Sequence, residues 1–99
     1  MNNVAHWTVP TDHPAFAGHF PGTPILPGVV LLDVALRIMT DTSRIALDKC
    51  ELSSVKFLSP ATPGDELLIA HSVSANGSIR FNINAGLRKI AIGSIVPNA

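Results

Sequence analysis

Three residues in one short stretch have the types and the spacing to move protons. His19 lies in a loop of glycine and proline, Gly18-His19-Phe20-Pro21-Gly22. Asp33 follows fourteen residues later, inside an almost wholly apolar run. Gly28 stands between them, where that run begins. An imidazole titrates near neutral pH and can both take and give a proton. A carboxylate among apolar residues is costly unless it is paired or used, and such surroundings favour its protonated form. A glycine N–H at a helix start has no intrahelical acceptor and lies at the positive end of the helix dipole, so it can hold a developing negative charge. Each residue also has a plainer reading. A lone histidine often caps its own loop, a glycine after proline commonly starts a helix, and an acid near a helix start is favoured by the dipole. That last effect fades within the first turn, whereas Asp33 falls in the second.

The elements that would position these groups follow from hydrophobic period. Residues 4–9 mix Val4, Trp7 and Val9 with polar positions and suggest a first strand, ended by Pro10. Residues 11–27 form a long loop whose prolines at 14, 21, 24 and 27 favour an ordered, packed course. A helix is expected from Gly28 or Val29 to about Ile45. Its first half is apolar on every side, which predicts a helix buried all round and wrapped by a sheet. The rest reads as antiparallel strands over residues 53–58, 66–75, 78–84 and 87–96. A turn is expected over residues 60–65, a hairpin at Asn76-Gly77 and another turn at Ala85-Gly86. One helix against an antiparallel sheet is an α+β architecture, here a single domain over residues 1–99.

Composition narrows the partners. The chain is 46% hydrophobic and only 14% charged, more apolar surface than a small monomer hides easily, so self-association is expected. Seven basic and seven acidic residues leave no net charge and no basic stripe, which argues against nucleic acid. The single cysteine, Cys50, excludes an internal disulfide framework and reads as a small apolar residue. Residues 14–32 lack formal charge but hold four prolines and three glycines, so no membrane span is expected. The N-terminus has no basic region or apolar run of a signal peptide, and a cytoplasmic, soluble protein is expected.

The strand, loop, helix and meander resemble the hot-dog fold, in which a sheet wraps one long central helix. Within that pattern, Gly18-His19-Phe20-Pro21, then Pro24-Ile25-Leu26-Pro27-Gly28, then Asp33 resemble the signature of the β-hydroxyacyl-acyl carrier protein dehydratases. Downstream, Val55-Lys56-Phe57 and Pro60 through Pro63-Gly64-Asp65 to Leu67 resemble a second stretch of that family. Asp33 departs from the glutamate of its common form and resembles the branch that also isomerises the double bond. The family also usually carries a helical segment before the first strand, which this sequence does not show.

The resemblance implies dehydration of a β-hydroxyacyl thioester. His19 would be the base, the Gly28 N–H would hold the thioester carbonyl, and Asp33 would protonate or orient the departing hydroxyl. Phe16, Phe20 and Leu32 would line the acyl path. The histidine of one subunit and the carboxylate of the other would complete each site in a homodimer, in line with the apolar surplus. The substrate would be an acyl carrier protein or coenzyme A thioester that brings its own phosphopantetheine arm. No cofactor and no metal is expected, since His13 and His19 have poor ligand spacing and no third ligand. His6, His13 and His71 read as surface or packing residues. Arg37, Arg44, Lys49, Arg80, Arg88 and Lys89 are cations that an acidic carrier, or the phosphate of its phosphopantetheine arm, could meet, though most such charges are simply solvated. Three other readings remain open. A hot-dog thioesterase would use a carboxylate to activate water. An (R)-specific enoyl hydratase usually shows histidine five residues after aspartate, an offset none of the five aspartates here has. A non-catalytic hot-dog module would only bind acyl chains or act as a scaffold.

Overall fold

Alternation of apolar and polar residues builds the sheet. In the computed structural model, which describes residues 2–12, 25–43 and 50–97, the chain runs β1 (Asn2–Thr8), α1 (Gly28–Ser43), β2 (Cys50–Phe57), β3 (Glu66–Val73), β4 (Ile79–Ala85) and β5 (Arg88–Pro97). The strands form one five-stranded sheet in the order β1-β3-β4-β5-β2, and every neighbouring pair is antiparallel. On β4, Ile79, Phe81 and Ile83 are buried while Arg80 and Asn82 are exposed. Cross-strand register extends that inner face: Ile69 pairs with Ile83, Ile83 with Ala91, and Ile79 with Ile95. This is the expected α+β hot-dog arrangement. β2 starts at Cys50, three residues earlier than the pattern suggested, and α1 is described to Ser43.

The helix is not buried all round. Leu31, Ala35 and Met39, four residues apart, are buried against the sheet. On the opposite stripe Val29, Asp33, Arg37 and Asp41 are exposed. Residues at this spacing share a face, and a sheet reaches only one flank of a 16-residue helix. Its uniformly apolar start therefore concealed an outward face, on which Val29 is 74% exposed.

Two turns fix the ends of β3. The Asn76-Gly77 signal becomes a hairpin whose last strand pair is Val73 with Ile79. The Ser74 N–H donates to the Ser78 carbonyl at 2.8 Å, and the Gly77 N–H to the Ser74 carbonyl at 3.0 Å. Gly77 has φ 87°, a conformation that glycine adopts without a Cβ penalty. The Asn76 Oδ1 accepts from the Ser74 hydroxyl at 2.6 Å and the Ser78 N–H at 3.0 Å. The second turn, residues 62–65, is closed by Asp65. Its Oδ2 accepts from the Thr62 N–H at 2.8 Å, the Thr62 hydroxyl at 3.0 Å and the Arg88 Nη2 at 2.6 Å. Burial works against the Asp65 charge, but these donors and the Arg88 cation outweigh it and hold the carboxyl below its ordinary value. The turn is tied to the end of β1, where the Val9 N–H donates to the Asp65 carbonyl at 2.9 Å.

His71 is buried on the inner face, beside Phe81 in the register. Burial lowers its pKa below 6.5, so the ring is neutral in the folded chain near pH 7. The unfolded chain then binds more protons than the folded one between the depressed value and 6.5. The stability this affords is fully present above 6.5 and is lost as pH falls from there toward the depressed value. The midpoint of urea unfolding should decline from about pH 7 to about pH 5, and the decline should be smaller in His71→Gln. An identical pH slope in the variant would refute this assignment.

Candidate active site

The start of α1 is held by backbone bonds. The Leu26 N–H donates to the Ala61 carbonyl at 2.7 Å in an isolated antiparallel bridge. Both residues are buried. Next in line, the Pro27 carbonyl accepts from the Val30 and Leu31 N–H groups, each at 3.0 Å. Pro27 is thus the last residue outside the helix and Gly28 the first inside it. The Gly28 N–H is one of the donors that a helix leaves without an intrahelical partner.

Gly28 lies beneath the ring of Phe57. A Cβ at Gly28 would come within 2.9 Å of the Phe57 Cζ and 3.1 Å of both Cε atoms. The ring occupies the place of a side chain, so any Cβ at Gly28 would have to displace it. A cavity of about 370 Å³ opens at this junction, walled by Ile25, Pro27, Gly28, Leu31, Phe57 and Pro60 among others. That volume lies in the range of small-molecule sites, and such sites are mostly apolar with a few placed polar groups. An apolar chamber with a helix-start N–H in its wall suits an acyl group ending in a polarised carbonyl.

Asp33 does not face this cavity. Five residues past Gly28, it is turned about 140° around the helix axis and lies about 7.5 Å further along it. Its Oδ2 is 3.1 Å from the Nε of Arg37, one turn on, and its side chain is 59% exposed. The expectation of a carboxylate desolvated by apolar neighbours is therefore corrected for the single chain. Leu31 and Ala35 point toward the sheet, and Asp33 points away from it. Leu32 is partly buried against the core, and Leu31 is on the cavity wall. His13, Phe16, His19 and Phe20 lie outside the described residues. Phe57 is the site residue that sequence reasoning missed. Its signal was its place in the Val55-Lys56-Phe57 motif, but nothing in that motif says which loop the ring covers.

A family model described as ApeI-like, ApeI dehydratase, matches residues 2–94. The chain belongs to this dehydratase family. It is 38% identical over 91 residues to the 3-hydroxyacyl-[acyl-carrier-protein] dehydratase FabZ of Chlamydia trachomatis, a match covering 79% of this chain and 59% of that protein. It is 36% identical over 81 residues to the FabZ of Geobacter metallireducens, covering 73% and 53%. The chain thus spans little more than half the length of these curated relatives. Among solved structures, the dehydratase heterocomplex ApeI:P of Xenorhabdus doucetiae superposes with a TM-score of 0.80 at 22% identity, over 99% of this chain and 88% of that one. The dehydratase domain of PpsC from Mycobacterium tuberculosis superposes with a TM-score of 0.77 at 19% identity, over 97% and 38%. At these identities the likeness establishes the hot-dog fold.

The contact between Gly28 and Phe57 can be tested by a double-mutant cycle. Gly28→Ala should overpack the junction and cost about 1–3 kcal/mol in urea unfolding. The same change in a Phe57→Leu background should cost clearly less, giving a coupling of at least about 0.5 kcal/mol. Additive effects would mean that the ring does not cover Gly28.

Proposed function

We propose that this chain removes water from a β-hydroxyacyl thioester, delivered on an acyl carrier protein or coenzyme A, to give the trans-2-enoyl thioester. The observation that carries the proposal is the helix start at Gly28, opening on an apolar cavity beside Phe57. The family and the activity named for its curated relatives point the same way.

In this reading the Gly28 N–H bonds the thioester oxygen and stabilises the enolate-like charge that forms there. His19 takes the proton from the carbon next to the thioester. The carbon–oxygen bond at the β position breaks, a double bond forms between the two carbons, and the hydroxyl leaves as water once protonated. Asp33 protonates or orients that hydroxyl. Phe16, Phe20 and Leu32 are assigned to the acyl path alongside Leu31 and Phe57. The reacting groups are the chain's own, and the phosphopantetheine arm comes with the substrate.

We assign the working unit to a cytoplasmic homodimer. The angular separation of Gly28 and Asp33 on one helix supports a site in which the acid comes from the second copy. The exposed strand β2, at the edge of the sheet, and the apolar Val29, Leu52, Phe57 and Leu58 on the surface support an interface that covers them.

A coupled assay on a β-hydroxyacyl carrier thioester should show enoyl formation. His19→Ala and Asp33→Asn should each lower kcat/KM by about a hundredfold or more, with the unfolding midpoint little changed. Wild-type rates in either variant would remove that residue from the mechanism, and release of free thiol without enoyl product would turn the reading to a thioesterase. Sedimentation should give a dimer at micromolar concentration, and full activity from a stable monomer would exclude the shared site.

A further inference from the structure

A trough of about 880 Å³ is walled mainly by outward-pointing residues on the face of the sheet turned away from the helix. Strand parity separates it from the Gly28 cavity. On β2, Phe57 pairs with Ala91 of the inner face, whereas Lys56 pairs with Ile92 of the outer face. Two cross-strand rows on the outer face build the trough. Arg80 pairs with Ser94, which pairs with Ser54. One step along, Asn82 pairs with Ile92, which pairs with Lys56. Arg80 and Lys56 thus stand at opposite corners of a small grid, two strands and one same-face step apart, or about 12 Å between Cα atoms at ordinary sheet spacings.

The chemistry of this grid is one-sided. None of the residues that line the trough is acidic. The described ion pairs join Arg37 to Asp33 and Arg88 to Asp65, so among the described residues Arg80 and Lys56 have no carboxylate partner. Between the two cations, the Ser54 and Ser94 hydroxyl oxygens lie 3.0 Å apart and share one hydrogen. Two hydroxyls carry two protons, so one donor remains for a ligand. The Asn82 amide adds two more donors. Ile92, 43% exposed, supplies an apolar ledge beside them.

We propose that this trough binds a small molecule bearing a phosphate or diphosphate group, at a site separate from the Gly28 cavity. Two cations match a dianion, whereas a single carboxylate would leave one of them uncompensated. The planar guanidinium of Arg80 grips two anionic oxygens at once, and the Lys56 ammonium acts as a point charge on the far side. The serine and asparagine donors fill the remaining oxygen valences, and the apolar body of the ligand rests on Ile92.

The test uses the full chain and inorganic pyrophosphate as the probe, followed by backbone amide shifts. Saturable shifts should cluster on β4, β5 and β2 around Arg80, Ser94 and Lys56. Arg80→Gln and Lys56→Gln should each weaken binding about tenfold or more, whereas Lys89→Gln, a surface cation outside the trough, should leave it unchanged. Circular dichroism confirms that each exposed-site variant is folded. Equal affinity in wild type and both trough variants would overturn the proposal. Equally tight binding of sulfate, or weakening by Lys89→Gln as large as by the trough variants, would mean an adventitious ion only and would overturn it too. So would saturable capture of an acidic peptide with no response to pyrophosphate.

Discussion

The hydrogen bond from the Leu26 N–H to the Ala61 carbonyl is the constraint on which the site depends. It joins the segment before the helix to the segment after β2, two positions thirty-five residues apart in the chain. Both partners are buried, so losing this bond would strand a donor and an acceptor away from water, at about 1–3 kcal/mol for such groups. It is also a backbone bond, so it fixes the position of Pro27 and Gly28 whatever their side chains. Placed there, Gly28 meets Phe57, and the cavity forms between the two segments. The Thr62–Asp65 turn secures the far side of the same segment through Arg88 and Val9. A chamber for an acyl group thus follows from one bridge and one turn.

Much of this was legible in the sequence. Apolar patterning and turn signals located the five described strands, with β2 beginning three residues before its expected start, and the proline–glycine step at residues 27 and 28 located the helix start. His71 was legible too, had parity been applied. It stands at the same two-residue step as Leu67 and Ile69, so it had to share their buried face. Other features had no local signal. Because residues 29–32 are all apolar, helical periodicity could not say which of them turns outward. That rotation decides where Asp33 points, and it was fixed only when Leu31, Ala35 and Met39 met the sheet. The covering of Gly28 by Phe57 is likewise a long-range contact. The spacing of either motif alone contains nothing about it.

The exposed stripe of the helix explains how one apolar segment can serve two purposes. Leu31, Ala35 and Met39 hold the helix to its own sheet. Val29 and Asp33 lie on the other side, an apolar residue and an acid one turn apart on a surface the protomer leaves open. A composition rich in apolar residues and poor in charge is consistent with such a division, since the protomer's own core does not consume its apolar surface.

The Asp33–Arg37 pair fits that division energetically. With both side chains mostly exposed, an ion pair one helical turn apart contributes about 0.3–0.5 kcal/mol, too little to hold the carboxylate in place against a better partner. A carboxylate in water is a poor proton donor near neutral pH, and desolvation is what makes one useful. On the single chain the Asp33 side chain is 59% exposed. On the proposed dimer, a second copy covering the stripe would remove water from the carboxylate. The surroundings of the acid would then be a property of assembly, and the weakness of its present ion pair is what lets assembly change them at little cost.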